Sequence, residues 1–281
     1  MKPTRLLYIC FIFFAAASCT HRDIVPLNIN DPFYAHRNIA YGYDTFQQTM
    51  DIYLPKFHPS DNVPVVIVLH GGGWIQGDKG EMNSTGVDTF FTSNGFAVVN
   101  MNYRLDVQYK FPAPIDDIGL VMTYIQEHAA SLGINPSRIC MLGKSSGAHL
   151  AMLYAYSRNQ DKRIKAVLDF CGPVNLTDST ILYKPFNNLV SAFIGSYTSN
   201  NQGWHDASPS SFISGAVPTA IFHGTADSLV YYQQAQMLDD SLRLHGINDM
   251  FVPWVGYRLG WNQEKWTEWR WAILDWLRKF V

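Results

Sequence analysis

Six apolar runs recur along this chain: VPVVIVLH (63–70), AVVNMNY (97–103), RICMLG (138–143), IKAVLDFC (164–171), VPTAIFHG (217–224) and MFVPWVG (250–256). Runs this continuous have no polar side to turn toward water, so each strand must be covered on both faces. The segments between them carry helical periodicity, which supplies the crossover connections that parallel strands need. The pattern therefore predicts an α/β fold with a mostly parallel central sheet and helices on both faces. At 281 residues a single domain of this kind is the expectation.

The connecting helices are legible. Ile115, Ile118, Met122, Ile125 and Ala129 form one apolar stripe behind Pro112 and Pro114, which suit a helix start. Val230–Leu244 and Glu264–Phe280 give two more. In the last, Trp266, Trp269, Ile273, Trp276 and Phe280 recur at helical spacing, so the tryptophan-rich end reads as core packing rather than a sugar-stacking platform. Ahead of the six runs, 37–43 and 47–54 flank Asp44-Thr45 and read as a hairpin. The stretch 172–215 breaks the alternation. It is polar and rich in glycine and serine, with a short apolar piece near Leu189–Ile194, and it reads as a small cap over the strand ends.

With 21 Lys+Arg against 23 Asp+Glu and no long run of either sign, the chain lacks the basic stripe that nucleic acid or anionic lipid would need. A small, weakly charged ligand fits better. The N-terminus, MKPTRLLYICFIFFAAASC, places Lys2 and Arg5 before an apolar run that is short for a membrane span, and it reads as a secretory signal over 1–18. Its AAASC resembles the lipobox of bacterial lipoproteins, although Ala16 stands where leucine is usual. That resemblance implies lipidation at Cys19, a tether over 19–35 ahead of the folded domain at 36–281, and export to the cell envelope with membrane contact through the anchor alone. Of the remaining cysteines, Cys140 and Cys171 sit in apolar runs and read as buried thiols, with one bridge left open by their spacing.

Two motifs carry chemistry. Gly143-Lys144-Ser145-Ser146-Gly147 lies between a strand and a helical run. There a serine sits on a tight strained turn and the flanking glycines remove side chains that would clash. His70-Gly71-Gly72-Gly73-Trp74 follows an earlier strand, and its glycines let backbone N–H groups turn toward a substrate oxygen. A glycine run alone is a turn. Paired with a serine elbow two strands later, it points to acyl transfer.

Through LHGGGW, NYRL, FPAPIDD, GKSSGAHLA, DASP and HGTAD, from about Ile39 to the C-terminus, the chain resembles α/β-hydrolases of the carboxylesterase kind. The likeness is to relatives of hormone-sensitive lipase and to bacterial feruloyl and acetylxylan esterase-like proteins. It implies the α/β-hydrolase fold, a serine-dependent hydrolysis of small acyl esters, and esters of carbohydrates among the substrates. It also implies roles: Ser145 as nucleophile, Asp227 as triad carboxylate, and the amides of Gly72, Gly73 and Ser146 as oxyanion donors. The family's histidine belongs in a run like Gly256-Tyr257-Arg258-Leu259-Gly260-Trp261, where this sequence has Leu259, which has no proton to move. Loss of that base in a comparable triad costs on the order of 10⁶ in kcat. The alternative reading is therefore an inactive pseudo-hydrolase that binds an ester or carbohydrate.

The other histidines read as structural. His223 belongs to HGTAD, His149 lies one turn past the serine, His70 is on the glycine turn and His245 ends a helix. His205, in the cap, is the one on a segment able to swing inward. Lys144 reads as a solvated or cap-facing charge, and Arg258 is placed by adjacency to pair with Asp227. His21, His36, His58 and His128 lack metal-ligand spacing, and neither a dinucleotide fingerprint nor a P-loop appears, so no metal and no cofactor are expected.

Overall fold

The computed structural model describes residues 33–56, 62–105, 108–178, 184–196, 201–258, 261 and 263–281. The signal over 1–18, Cys19, His21, His58 and Leu259 lie outside the described residues.

Eight strands form one sheet in the order β1-β2-β4-β3-β5-β6-β7-β8. They are β1 (Phe33–Ala40), β2 (Thr49–Pro55), β3 (Val63–Leu69), β4 (Ala97–Met101), β5 (Ile134–Lys144), β6 (Ile164–Phe170), β7 (Thr219–Gly224) and β8 (Asp249–Trp254). From β4 through β8 every pairing is parallel, whereas β1–β2 and β2–β4 are antiparallel. Each predicted run became a strand. The continuous burial of β3 has the expected cause: Val65, Ile67 and Leu69 enter one apolar cluster, while Val66 and Val68 enter the other.

Helices cover both faces. On one side α2 (Ala113–Leu132), α3 (Ser146–Ser157) and α6 (Gln233–Leu244) pack through Ile118, Ile125, Leu150 and Leu238. On the other, α1 (Val87–Ser93) and α7 (Gln263–Leu277) pack through Phe90, Phe91, Trp266 and Ile273. Trp266 and Trp276 are buried and Trp269 is partly so, as core packing requires.

Two boundaries moved. β1 begins at Phe33, inside the stretch read as tether, because Phe33 and Ala35 face the core and pair with Pro55 and Tyr53. The hairpin turn is longer than Asp44-Thr45: the Asp44 carboxylate accepts the amides of Phe46 (3.1 Å) and Gln47 (3.0 Å), which delays β2 to Thr49. The stretch read as a cap holds α4 (Lys184–Ile194), α5 (Gln202–Asp206) and a 3₁₀ segment at Pro209–Gly215. α4 starts earlier than Leu189 because Phe186 already faces the core, in line with Val190 and Phe193 at helical spacing.

The matched motifs NYRL and FPAPIDD meet in space. Arg104 donates through Nε to Asp117 Oδ1 at 2.8 Å and through its backbone amide to Oδ2 at 2.7 Å. Gln48 Nε2 donates to the same carboxylate at 2.7 Å. Asp117 is fully buried, so these donors hold a charge the core would otherwise expel.

Candidate active site

The serine turn is strained in the way its sequence requires. Ser145 lies between β5 and α3 with φ 52° and ψ −119°, a conformation ordinary side chains avoid. Its amide donates to Phe170 O at 2.8 Å, which ties the turn to β6. A Cβ on Gly143 would meet the backbone of Gly147 and Ala148, and one on Gly147 would meet the carbonyls of Leu69 and His70. Only glycine lets β5, α3 and the β3 terminus approach this closely. Ser146 is fully buried, and as the first residue of α3 its amide stands outside the helical ladder.

The loop after β3 is held from both sides. Gly72 has φ 121°, and a Cβ there would strike the Gln76 carbonyl. Trp74, also at positive φ, is buried and stacks on Phe193 of α4 with ring centroids 4.9 Å apart. Its Nε1 donates to His149 Nδ1 at 3.2 Å, and His149 donates through Nε2 to Ala207 O at 2.7 Å. Burial lowers His149 to about 4, so the ring is neutral and can serve as acceptor and donor at once. One imidazole thereby joins the glycine loop, the helix behind the serine, and the cap.

Asp227 follows β7. Its Oδ1 accepts the amides of Leu229 (2.8 Å) and Val230 (3.0 Å), while burial pushes its carboxyl above the ordinary range. His223 donates through Nε2 to Val230 O at 2.7 Å and lies 3.7 Å from Asp227 Oδ2. Burial lowers it too, to about 4. It is a strut for the carboxylate's loop, as HGTAD implied, and is fully buried.

A cavity of about 300 Å³ brings Ser145, the Gly72–Gly73 turn and Asp227 together from three sequence-distant segments. Lys144 lines it as well. Its remaining wall includes Cys171, Phe186, Leu189, Leu229, Val230 and Trp261. Sequence reasoning missed that wall, although a small residue next to the β6 terminus and the aromatic after the histidine position were readable signals. Cys171 and Cys140 are free thiols, so the bridge left open by their spacing is not made. Among the described residues no histidine lines this cavity. His205 is exposed on α5, with Nδ1 3.8 Å from Asp206 Oδ1. His245 bonds its own helix at Ser241 O. Arg258 is exposed and forms no ion pair with Asp227, whose Oδ1 accepts the amides of Leu229 and Val230 instead. Adjacency to the histidine position did not bring that guanidinium to the acid.

Residues 50–242, more than half of the chain, match the family described as BD-FAE. The Mycobacterium tuberculosis protein named "Probable carboxylic ester hydrolase LipM" is 30% identical over 227 residues, covering 75% of this chain and 52% of that protein. Esterase LipQ of the same organism is 28% identical over 220 residues, covering 73% and 52%. The chain thus spans about half the length of these curated relatives. Among solved structures, a truncated form of a carbohydrate esterase from gut microbiota superposes with a TM-score of 0.77 at 22% identity, covering 89% of this chain and 97% of that one. A parallel sheet with a serine elbow after β5, a glycine loop after β3 and a carboxylate after β7, matched by these relatives, makes this chain an α/β-hydrolase belonging to the BD-FAE family.

Proposed function

We propose that this chain is a serine-dependent carboxylic ester hydrolase that takes small acyl esters, carbohydrate esters among them. The observation that carries this is the convergence of Ser145, the Gly72–Gly73 turn and Asp227 on one cavity. Ser145 Oγ would bond to the ester carbonyl carbon, and the resulting oxyanion would be held by the amides of Gly72, Gly73 and Ser146. Loss of the alcohol, which takes up the serine proton, leaves an acyl-enzyme that water hydrolyses. The carbohydrate class draws on the name of the gut esterase that shares the fold, and is an analogy at that level. Anchoring at the envelope through Cys19 belongs to the same proposal. Incorporation of a radiolabelled acyl chain that Cys19→Ala abolishes is its test.

A second reading is favoured by a specific observation. No described histidine lines the cavity, and the sequence carries Leu259 where the base is expected. A scaffold of this kind keeps on the order of 10³–10⁴ over water from its oxyanion donors and binding alone, so ligand capture with little turnover is what remains. Initial rates on a small activated acetate ester decide between the two. Under the esterase reading the chain turns over in a way that Ser145→Ala abolishes, and Leu259→His gains several orders of magnitude. Under the binding reading the unsubstituted chain matches Ser145→Ala, and only Leu259→His is active. If Leu259→His is no faster than Ser145→Ala, neither the assigned base position nor the nucleophile stands.

A further inference from the structure

A second concavity, about 640 Å³, opens on the same sheet edge as Ser145. Because β2 runs antiparallel to β4, with Met50 opposite Met101, the β1–β2 turn stands at the C-terminal end of the parallel strands, where the elbow also lies. The loop after β3 is the partition. Residues up to Gln76 line the serine cavity, and from Gly77 onward the same loop lines the neighbouring one. The two cavities therefore share this loop as a common wall.

The chemistry of this second cleft is that of a neutral polyol site. Phe46 is 89% exposed at its mouth, on a turn fixed by the Asp44 carboxylate. Planar amides stand beside it. Gln47 Oε1 accepts the Leu105 amide at 2.9 Å and Gln47 Nε2 donates to Gln108 Oε1 at 3.4 Å, a bond that does not use the donor nitrogen of the exposed Gln108 side chain. Asn102 Nδ2 donates to Asp78 Oδ2 at 3.0 Å, and both side chains line the cleft. The cation in the floor is neutralised: Lys79 Nζ lies 3.0 Å from Asp51 Oδ1 and 2.9 Å from Asn38 Oδ1. An anionic ligand finds no unpaired cation there and meets the Asp78 carboxylate, whereas hydroxyls find amide donors and oxygen acceptors beside an aromatic face that accepts the apolar side of a sugar ring.

We infer that this cleft is a glycosyl subsite, which holds sugar units of a neutral oligosaccharide whose acylated unit sits at Ser145. The inference rests on the carbohydrate-ester reading above, and makes the substrate a chain rather than a free sugar. The probes are xylohexaose and cellohexaose, titrated calorimetrically into the full chain carrying Ser145→Ala, with and without Phe46→Ala and Gln108→Ala. At least one hexaose binds, and Phe46→Ala weakens it about tenfold, the loss expected from one aromatic contact. In the turnover-competent Leu259→His background, Phe46→Ala lowers kcat/KM on acetylated xylo-oligosaccharides to a similar degree. The rate on a small activated acetate stays unchanged. If neither hexaose binds, or if Phe46→Ala alters neither affinity nor oligosaccharide turnover while Ser145-dependent hydrolysis of the small ester persists, the subsite is wrong and the esterase reading survives. If small-ester hydrolysis is absent in every variant, the esterase reading fails, and the titration still decides whether the cleft takes sugars.

Discussion

Ser145 holds a backbone geometry of φ 52° and ψ −119°, and strain of this kind costs on the order of 1–3 kcal/mol. It persists because the contacts of Gly143 and Gly147 leave the turn no alternative. Ser145→Gly should therefore raise unfolding stability by about 1 kcal/mol while removing any serine-dependent turnover. A thermal melt showing no gain would mean the turn is less strained than its angles imply. A second residue acts through charge. Asp169, at the end of β6, is fully buried; its Oδ1 accepts the Gly172 amide at 2.7 Å and its Oδ2 has no partner. Burial pushes this carboxyl up to about 7 from 3.8. With the folded value above the unfolded one, its contribution to stability is whole below about 4 and is lost as pH rises toward 7. Asp169→Asn keeps the acceptor and lacks the titration, so melts of the two proteins should diverge in the variant's favour between those pH values and run parallel above them. A constant difference across the range would remove Asp169 from the account.

Between elements, the informative contact is the imidazole of His149, which joins the loop after β3, α3 and the segment following α5 through Trp74 and Ala207. His149→Phe keeps the volume and strands a buried indole N–H and a carbonyl, a cost of roughly 1–3 kcal/mol at neutral pH. The sign of its pH effect is opposite to that of Asp169. A histidine lowered to about 4 in the folded state gives stability that is present above 6.5 and lost as pH falls toward 4. The variant should consequently be less stable at pH 8 yet lose less on acidification, which denaturant melts at pH 8 and 5 would show. Equal losses for both proteins would mean that the acid limb belongs elsewhere, His223 being the next group to replace. These struts explain two of the matched motifs. The histidine of SSGAHLA and the DASP segment are spaced by 58 residues and meet only because the cap folds back over the helix. Their motif status was visible in the sequence, whereas their mutual bond depended on closing that long loop.

For the whole molecule, Cys140 and Cys171 are free and buried, so the hydrolase domain is held by its two apolar clusters and not by a cross-link. The melting midpoint of residues 33–281 should be the same with and without reductant, and a reductant-dependent shift would overturn the assignment of free thiols. The sequence by itself determined the parallel sheet, the helices on both faces, the serine elbow and the glycine loop. Each rests on short-range physics: runs of apolar side chains whose period fits one element, and glycines where a Cβ has no room. The HGTAD motif also put Asp227 just after β7, where the structure has it at the serine cavity. Tertiary structure decided the rest. The strand order, the start of β1 at Phe33, the cavity walls of Cys171, Phe186 and Trp261, and the amide-lined cleft beside them arise from segments tens to hundreds of residues apart. No local period encodes which of those segments will share a wall, because that is settled by how the sheet twists, how its two faces fill, and which loops its C-terminal edge draws together.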